Sequence, residues 1–404
     1  MAKSAKRVET ETEETPFSRV SEDNTTDILL RLPAKSVLRA GAVWRPWRCI
    51  TTDPSFLAAL QPAEVILYSY KYPSLEVALE LVPRPVSSGD GEGDEPAARR
   101  RLIRNPRASP FLLLASCNGV LLFQKSEGSF ILCNPMTRQW ADLPRIPRDR
   151  FTCRIINYEY AFYWHQPSGE YRVLVCRGGS WFILATGAAE ARRVDMSPGA
   201  WIADSLVTTP VTVNGRVHWP PRQATVTAAT EGASSTTTTT MTATEMVVFD
   251  TASETFHRMA GPPTATPDVV KLFEMDGMLA AADFGEEEHV ELWFLEDYAA
   301  GRWERRHRIA TAWQLDMNRA PPREARDLVC VGAAGDGEGN VVLGSHLWLA
   351  AYNVRTKTTR TLEAVARPGN NVLVSRHVFR ESLAPHPSFA ARSAADLGFT
   401  FSWF

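Results

Sequence analysis

Side chains able to do chemistry are spread thinly along these 404 residues. Six cysteines (Cys49, Cys117, Cys133, Cys153, Cys176 and Cys330) include no CxxC pair, so thiolate metal binding and dithiol redox chemistry lack their usual spacing. The eight histidines show no HxH or HExxH pattern. His218, in "RVHWP", falls on an expected strand and reads as a hydrogen-bonded structural imidazole. Two acidic glycine-rich stretches, "GDGEGDE" (89–95) and "GDGEGN" (335–340), resemble nucleotide loops only superficially. Neither sits between a strand and a helix, and their carboxylates would repel phosphate. "DGEGN" (336–340) could open a calcium loop, but the downstream bidentate glutamate is missing, so a hairpin turn is expected there. No GxSxG elbow occurs. No catalytic residue, metal ligand or cofactor is therefore assigned, and the chain is read as non-catalytic.

The elements that could position a functional surface come next. Hydrophobic residues make up 44% of the chain and aromatics 10%, enough for a sizeable core. A formal net charge of −2 advertises neither nucleic acid nor an anionic membrane as partner. The opening "MAKSAKRVETETEETP" has no apolar h-region, and the apolar "FLLLASCNGVLLF" is interrupted and too short to span a bilayer. An intracellular protein of the cytoplasm or nucleus, with its cysteines as buried thiols, is the expectation.

Residues 17–60 read as three to four short helices. Ile28, Leu29 and Leu32 are spaced i, i+1, i+4 as one apolar stripe, which Pro33 ends. Val37 and Leu38 mark a second helix, and Val43, Trp47 and Ile50 suggest a third, with Pro46 in its first turn. Ser21, followed by Glu22 and Asp23, is placed to cap the first helix. Gly41 weakens the second helix by about 1 kcal/mol relative to alanine. So small a module, carrying Trp44, Trp47 and several leucines, has more apolar surface than its own core can hide. Burying each large apolar side chain on a partner is worth roughly 1.5–3 kcal/mol.

These residues resemble an F-box. The similarity runs through "LLRLP" (29–33), "AKSVLR" (34–39), the V-x-x-x-W-R of Val43, Trp47 and Arg48, and "DPSF" (53–56). It departs from the family where Val20, Ser21, Asn24, Thr25 and Thr26 replace an apolar Leu-Pro opening, and at Trp44. The resemblance implies docking on the Skp-type adaptor of a cullin–RING ubiquitin ligase through Val20, Ile28, Leu29, Leu32, Pro33, Leu38, Val43 and Trp47. A helix-turn-helix reading fails, because the arginines and lysines do not line one recognition helix. A helical cap with no partner is the other alternative.

Beyond residue 110 the sequence repeats itself. "CNGVLLFQKSEGSFILCNPMTRQWADLP" (117–144) is echoed by "VNGRVHW" with "MVVFDTASETFHRMAGPP", by 275–309 and by 339–365, with 170–195 as a weaker copy. Each copy places glycine before an apolar strand, then a second strand ending at Asn134, Asp250, Asp297 or Asn353, then a polar turn and Trp140, Phe256, Trp303 or Thr359. Units of this size in series predict propeller blades. The stretches 64–83 and 371–379 are expected to pair and close a sixth blade from the two ends. The aromatics are expected to pack the blades, not to line a ligand cage.

"SCNG" and "CNP-x-T-R-x-W-x-x-LP" (116–144), with "HVFRESLAPH" (377–386), also resemble the F-box-associated domain of plant-type F-box proteins. The expected organisation is α+β and multidomain: a disordered tail (1–16), an F-box (17–60), an all-β propeller-like domain of five to six blades (61–383) with loop insertions at 84–108 and 221–245, and a C-terminal tail (384–404) that either packs back or binds something. The implied role is the substrate-recognition subunit of an SCF-type ligase, joined through the adaptor to cullin and RING subunits and holding an unidentified protein substrate. The alternative is a propeller-fold enzyme or a carbohydrate- or ligand-binding module with a helical N-terminal cap.

Overall fold

In a computed structural model, the structure describes residues 21–30, 32, 34–53, 56, 64–71, 76–81, 100–105, 112–126, 128–146, 159–177, 179–195, 209–225, 242–264, 267–286, 289–310, 328–332, 339–345, 348–364, 370–383, 386–391 and 400–401. The chain divides into two compact units, residues 1–61 and 62–404.

The first unit contains α1 (Glu22–Leu30), α2 (Ala34–Val43) and α3 (Arg45–Thr52). Ser21 caps α1: its Oγ accepts from the Asn24 backbone N–H at 3.2 Å, and Glu22 and Asp23 occupy the first turn, where the helix dipole favours them. Pro46 sits in the first turn of α3, as its missing N–H allows. Two helix assignments differ from the spacing argument. α1 ends at Leu30, and Ile28 and Leu29 part company, the former exposed and the latter buried. Val43 closes α2 while Trp47 lies in α3, because Trp44 adopts an extended backbone between them. Gly41 lies at the α2–α3 contact: a Cβ there would stand 2.6 Å from Thr51 Oγ1 of α3, so a larger residue requires that hydroxyl to move. The apolar turn expected through Leu57 and Leu60 lies mostly outside the described residues.

The described residues of the second unit form a β-propeller of six antiparallel sheets. Four are contiguous in sequence, 160–194, 211–260, 270–310 and 328–364, and a fifth is built on 112–142. The sixth joins the chain ends, with Asn370–Phe379 paired to Glu64–Lys71, followed outward by Glu76–Leu81 and Arg100–Asn105. Pairing the two ends removes the open edges a linear array would present.

Blades begin one strand earlier than the sequence echo suggests. Leu112–Cys117, Val211–Val213 and Val270–Met275 each precede the glycine and turn into the next strand through Asn118-Gly119, Asn214-Gly215 and Asp276-Gly277. Both residues of each pair have positive φ, as a two-residue type I′ turn requires. The third-to-fourth strand turns are equally regular. Asn134, Asp250 and Asn353 each accept, through Oδ1, backbone N–H bonds from the residues two and three positions on. For Asp250 the Ser253 backbone N–H leads in holding the carboxyl below its ordinary range, against burial.

The core lies between blades. Tyr160 and Phe162 pack towards the first sheet, whereas Ala161 and Tyr163 of the same strand pack with Val217, Trp219 and Phe249 of the third. With both faces of a blade buried, "YAFYWH" has no apolar–polar alternation to show. Trp140, Phe256 and Trp303 are buried, as blade-packing residues should be, whereas Thr359 is exposed.

Three expected irregular regions carry strands. Arg100–Asn105 falls in the presumed insertion 84–108, because Leu102 and Ile103 are buried despite four flanking arginine and asparagine side chains. Arg222–Thr225 pairs with the start of Thr242–Asp250 inside 221–245. The expected tail contributes Ala390–Ala391 to the edge of the first sheet and Thr400–Phe401 to the edge of the sixth. These described residues pack back on the propeller.

Candidate functional site

Six of the eight expected docking residues are described; Val20 and Pro33 lie outside the described residues. Ile28, Leu38 and Val43 are exposed by 57%, 42% and 79%. Leu32 and Trp47 are half-buried, and the Trp47 ring stands edge-on to Trp44 at 5.4 Å between centroids. Leu29 is 2% exposed, so its part in any docking face runs through the fold of α1.

Within the propeller, a cavity of ≈ 560 Å³ opens where the inner strands end. Five strands contribute to its wall, through Ala115–Cys117, Tyr160, Phe162 and Trp164, Val211–Val213, Lys271–Glu274, and His377 and Val378, with Arg380 just past the last of them. Tyr160 is anchored by donating to the Leu114 carbonyl, and Asn214 Nδ2 donates to Gly277 O at 3.0 Å. Glu274 accepts from the Gly277 backbone N–H at 2.8 Å through Oε1, while its Oε2 lies 3.9 Å from Arg380. Burial pushes the Cys117 thiol up to about 12, so at neutral pH it is no nucleophile. Among the described residues no group of three or more His, Cys, Asp or Glu side chains could hold a metal ion.

Two other polar clusters are structural. Glu254, at the turn of the third blade, receives Arg172 at 2.5 Å, Arg192, and the Tyr163 hydroxyl at 3.2 Å, clamping the second and third blades together. Burial first, then the adjoining Glu254 charge, raises the Tyr163 phenol far above its ordinary range. His218 is wholly buried, with Nε2 3.0 Å from the Tyr298 hydroxyl and Nδ1 3.3 Å from Val211 O. Desolvation brings it down to about 4, so the imidazole stays neutral.

The "SCNG" and "CNP" residues turn inward, onto the chain's own end. A Cβ on Gly119 would stand 2.4 Å from Ser382 Cβ and 2.7 Å from Arg380 O. Asn134 Nδ2 donates to Ser382 O at 2.9 Å. Further along, His386 and Phe389 pack on Tyr171, with ring centroids at 5.3 and 6.0 Å. The closing segment thus laces around the first blade.

No family model matches the chain. An F-box protein of Arabidopsis thaliana is 27% identical over 209 residues, 50% of this chain and 46% of its own length. An F-box/kelch-repeat protein of the same plant is 21% identical over 390 residues, 89% of this chain and 82% of that protein. The chain is related to the plant F-box proteins. It spans about half the length of the first of these relatives (46%). Among solved structures, an oligogalacturonate lyase in complex with manganese overlaps 74% of this F-box relative at 8% identity and a TM-score of 0.35, too loosely to bear on function. No helix among the described residues is long and apolar enough to cross a membrane.

The cavity is what sequence reasoning missed. Its wall comes from segments as distant as Cys117 and Arg380, and no local spacing signals their meeting.

Proposed function

We propose that this chain is the substrate-recognition subunit of an SCF-type ubiquitin ligase. In this reading the helical unit docks on a Skp-type adaptor, which connects it to cullin and RING subunits, and the propeller holds the protein substrate. The observation that carries it is the exposure of Ile28, Leu38 and Val43 on a unit whose described residues form three short helices. Exposed large apolar side chains mark an interaction surface where they form one contiguous patch, which is what this reading requires of the three. The F-box names of the relatives point the same way.

The chain makes no bond itself in this scheme. It raises the effective concentration of substrate lysines near the charged ubiquitin carrier and orients them. The test is a titration of the full chain against a purified Skp-type adaptor, wild type beside Ile28→Asp and Val43→Asp. Placing a charge in an apolar interface should weaken binding by at least about tenfold. Adaptor binding that is absent in the wild type, or indifferent to both changes, would sink the reading.

A further inference from the structure

The turns that follow the first strands of three successive blades meet at the propeller cavity. Asn118, Gln166 and Asn214 take the first place in those turns, directly after Leu112–Cys117, Tyr160–His165 and Val211–Val213. All three line the cavity, so the repeat of the fold brings amide side chains from equivalent positions onto one wall. Asn214 Nδ2 is committed to Gly277 O at 3.0 Å, which leaves its Oδ1 to accept. The side-chain amides of Asn118 and Gln166 make no hydrogen bond among the described residues. Each therefore offers a carbonyl acceptor and two N–H donors. Ser116 adds a hydroxyl to the same wall.

The charged groups of the cavity are already occupied. Glu274 accepts from the Gly277 N–H at 2.8 Å and lies 3.9 Å from Arg380, and Lys271, His377 and Arg380 all interact with other groups of the chain. A ligand thus meets uncharged hydrogen-bonding groups beside an aromatic ring. That ring is Trp164, which is partly exposed and stands edge-on to Tyr171 at 4.8 Å and to His386 at 5.8 Å. Its orientation is set before any ligand arrives, which spares an ordering cost on binding.

A volume of ≈ 560 Å³ lies within the roughly 300–1,000 Å³ of small-molecule sites. Amides on a wall and an aromatic ring beside them match a flat ring with hydroxyls on its perimeter and C–H groups on its face. An extended peptide, whose side chains alternate between opposite sides, concentrates fewer polar groups in one place. We infer that this cavity binds an uncharged sugar, with Asn118, Gln166 and Asn214 reading its hydroxyls and Trp164 carrying its C–H face. Where the sugar is attached to a protein, this rests on the substrate-recognition reading above and names the mark recognised; a free saccharide meets the same groups.

The test titrates the full chain with cellobiose, N,N′-diacetylchitobiose, mannobiose and lactose, followed by tryptophan fluorescence and unfolding temperature. At least one should bind more tightly than about 1 mM and raise the unfolding temperature. Its affinity should hold on raising salt from about 0.05 M to about 0.5 M, since no ion pair forms. Gln166→Ala, at an exposed position, should weaken it by about fivefold. Asn118→Gly, which accepts the φ of +48° there, should do the same. No binding by any of the four sugars, or affinity unchanged in both variants, overturns the inference. Tighter, salt-sensitive binding of digalacturonate marks an anion site and overturns it too. A synthetic peptide carrying the bound sugar separates the sources: tighter binding than the free disaccharide supports a sugar borne by protein, and equal binding supports a free one. Equal competition by the bare peptide overturns both. The adaptor titration on the same preparation keeps the claims apart: adaptor binding without sugar binding removes the cavity inference alone, and sugar binding without adaptor binding removes the ligase reading alone.

Discussion

Asn134 donates from Nδ2 to the carbonyl oxygen of Ser382 at 2.9 Å, joining residues 248 positions apart. The same asparagine accepts from Met136 and Thr137 through Oδ1, so one side chain shapes a local turn and fastens the chain end to it. Asn134→Ala loses both, and should lower unfolding free energy by about 1–3 kcal/mol. A denaturant midpoint equal to wild type would show that the fastening contributes nothing.

Gly119 should be more sensitive. Its φ of +77° strains any L-residue, by roughly 1–2 kcal/mol, and the added Cβ would collide with Ser382 Cβ and the Arg380 carbonyl. Gly119→Ala is expected to loosen the closing segment, read as faster proteolysis after residue 380 and a lower thermal midpoint. Gly277, with φ +78° and nothing within 4 Å of its Cβ, is the control: Gly277→Ala carries the strain without the clash.

Phe389 is 8% exposed and sits in the cluster between the first two blades. Phe389→Ala should cost about 3–5 kcal/mol if the segment is part of the core, and near zero if it is an appended tail. Equilibrium unfolding by urea decides between these.

Acid should destabilise the propeller through His218. Its native value, about 4, lies below the ordinary imidazole value, so the unfolded chain takes the proton first. Stability contributed by the neutral ring is complete above about pH 6.5 and is lost as pH falls towards about 4, by up to roughly 3 kcal/mol. Burial lowers His165, His257, His307 and His386 in the same direction. His218→Gln should therefore flatten the pH dependence of stability without abolishing it. An unchanged slope would place the effect on the other histidines.

Helix propensity says that Gly41→Ala should strengthen α2 by about 1 kcal/mol. The 2.6 Å approach to Thr51 Oγ1 says the opposite, since Thr51 is buried and branched. Faster amide exchange in α2 and α3 of the variant is expected. Slower exchange would mean that the crossing adjusts freely.

What was legible in the sequence was local. Asn134, Asp250 and Asn353 announce their turns because the hydrogen bonds span two or three residues. Asn118-Gly119 and Asn214-Gly215 announce hairpins for the same reason. The pairing of the chain ends was also readable, since 64–83 and 371–379 are strand-like runs left outside the repeats. Strands such as Val211–Val213 were not, being three residues long, and Arg100–Asn105 was hidden by its arginines. The two-residue strands of the C-terminal segment have no periodicity to detect. Lys271, Glu274 and Arg380 meet only through the closure of the ring, which no spacing within one repeat encodes.

The ring's closing strand, Asn370–Phe379, also leaves the ribosome after the strands of the five sheets that span 112–364. Until it emerges, Glu64–Lys71 waits with an unpaired edge while five blades form behind it. Nascent chains stalled short of residue 379 should thus depend on chaperones that shield strand edges. The helical unit, translated first, can be complete long before the propeller is. Premature stop codons ahead of residue 370 would then release chains with an N-terminal unit already made and an unclosed ring.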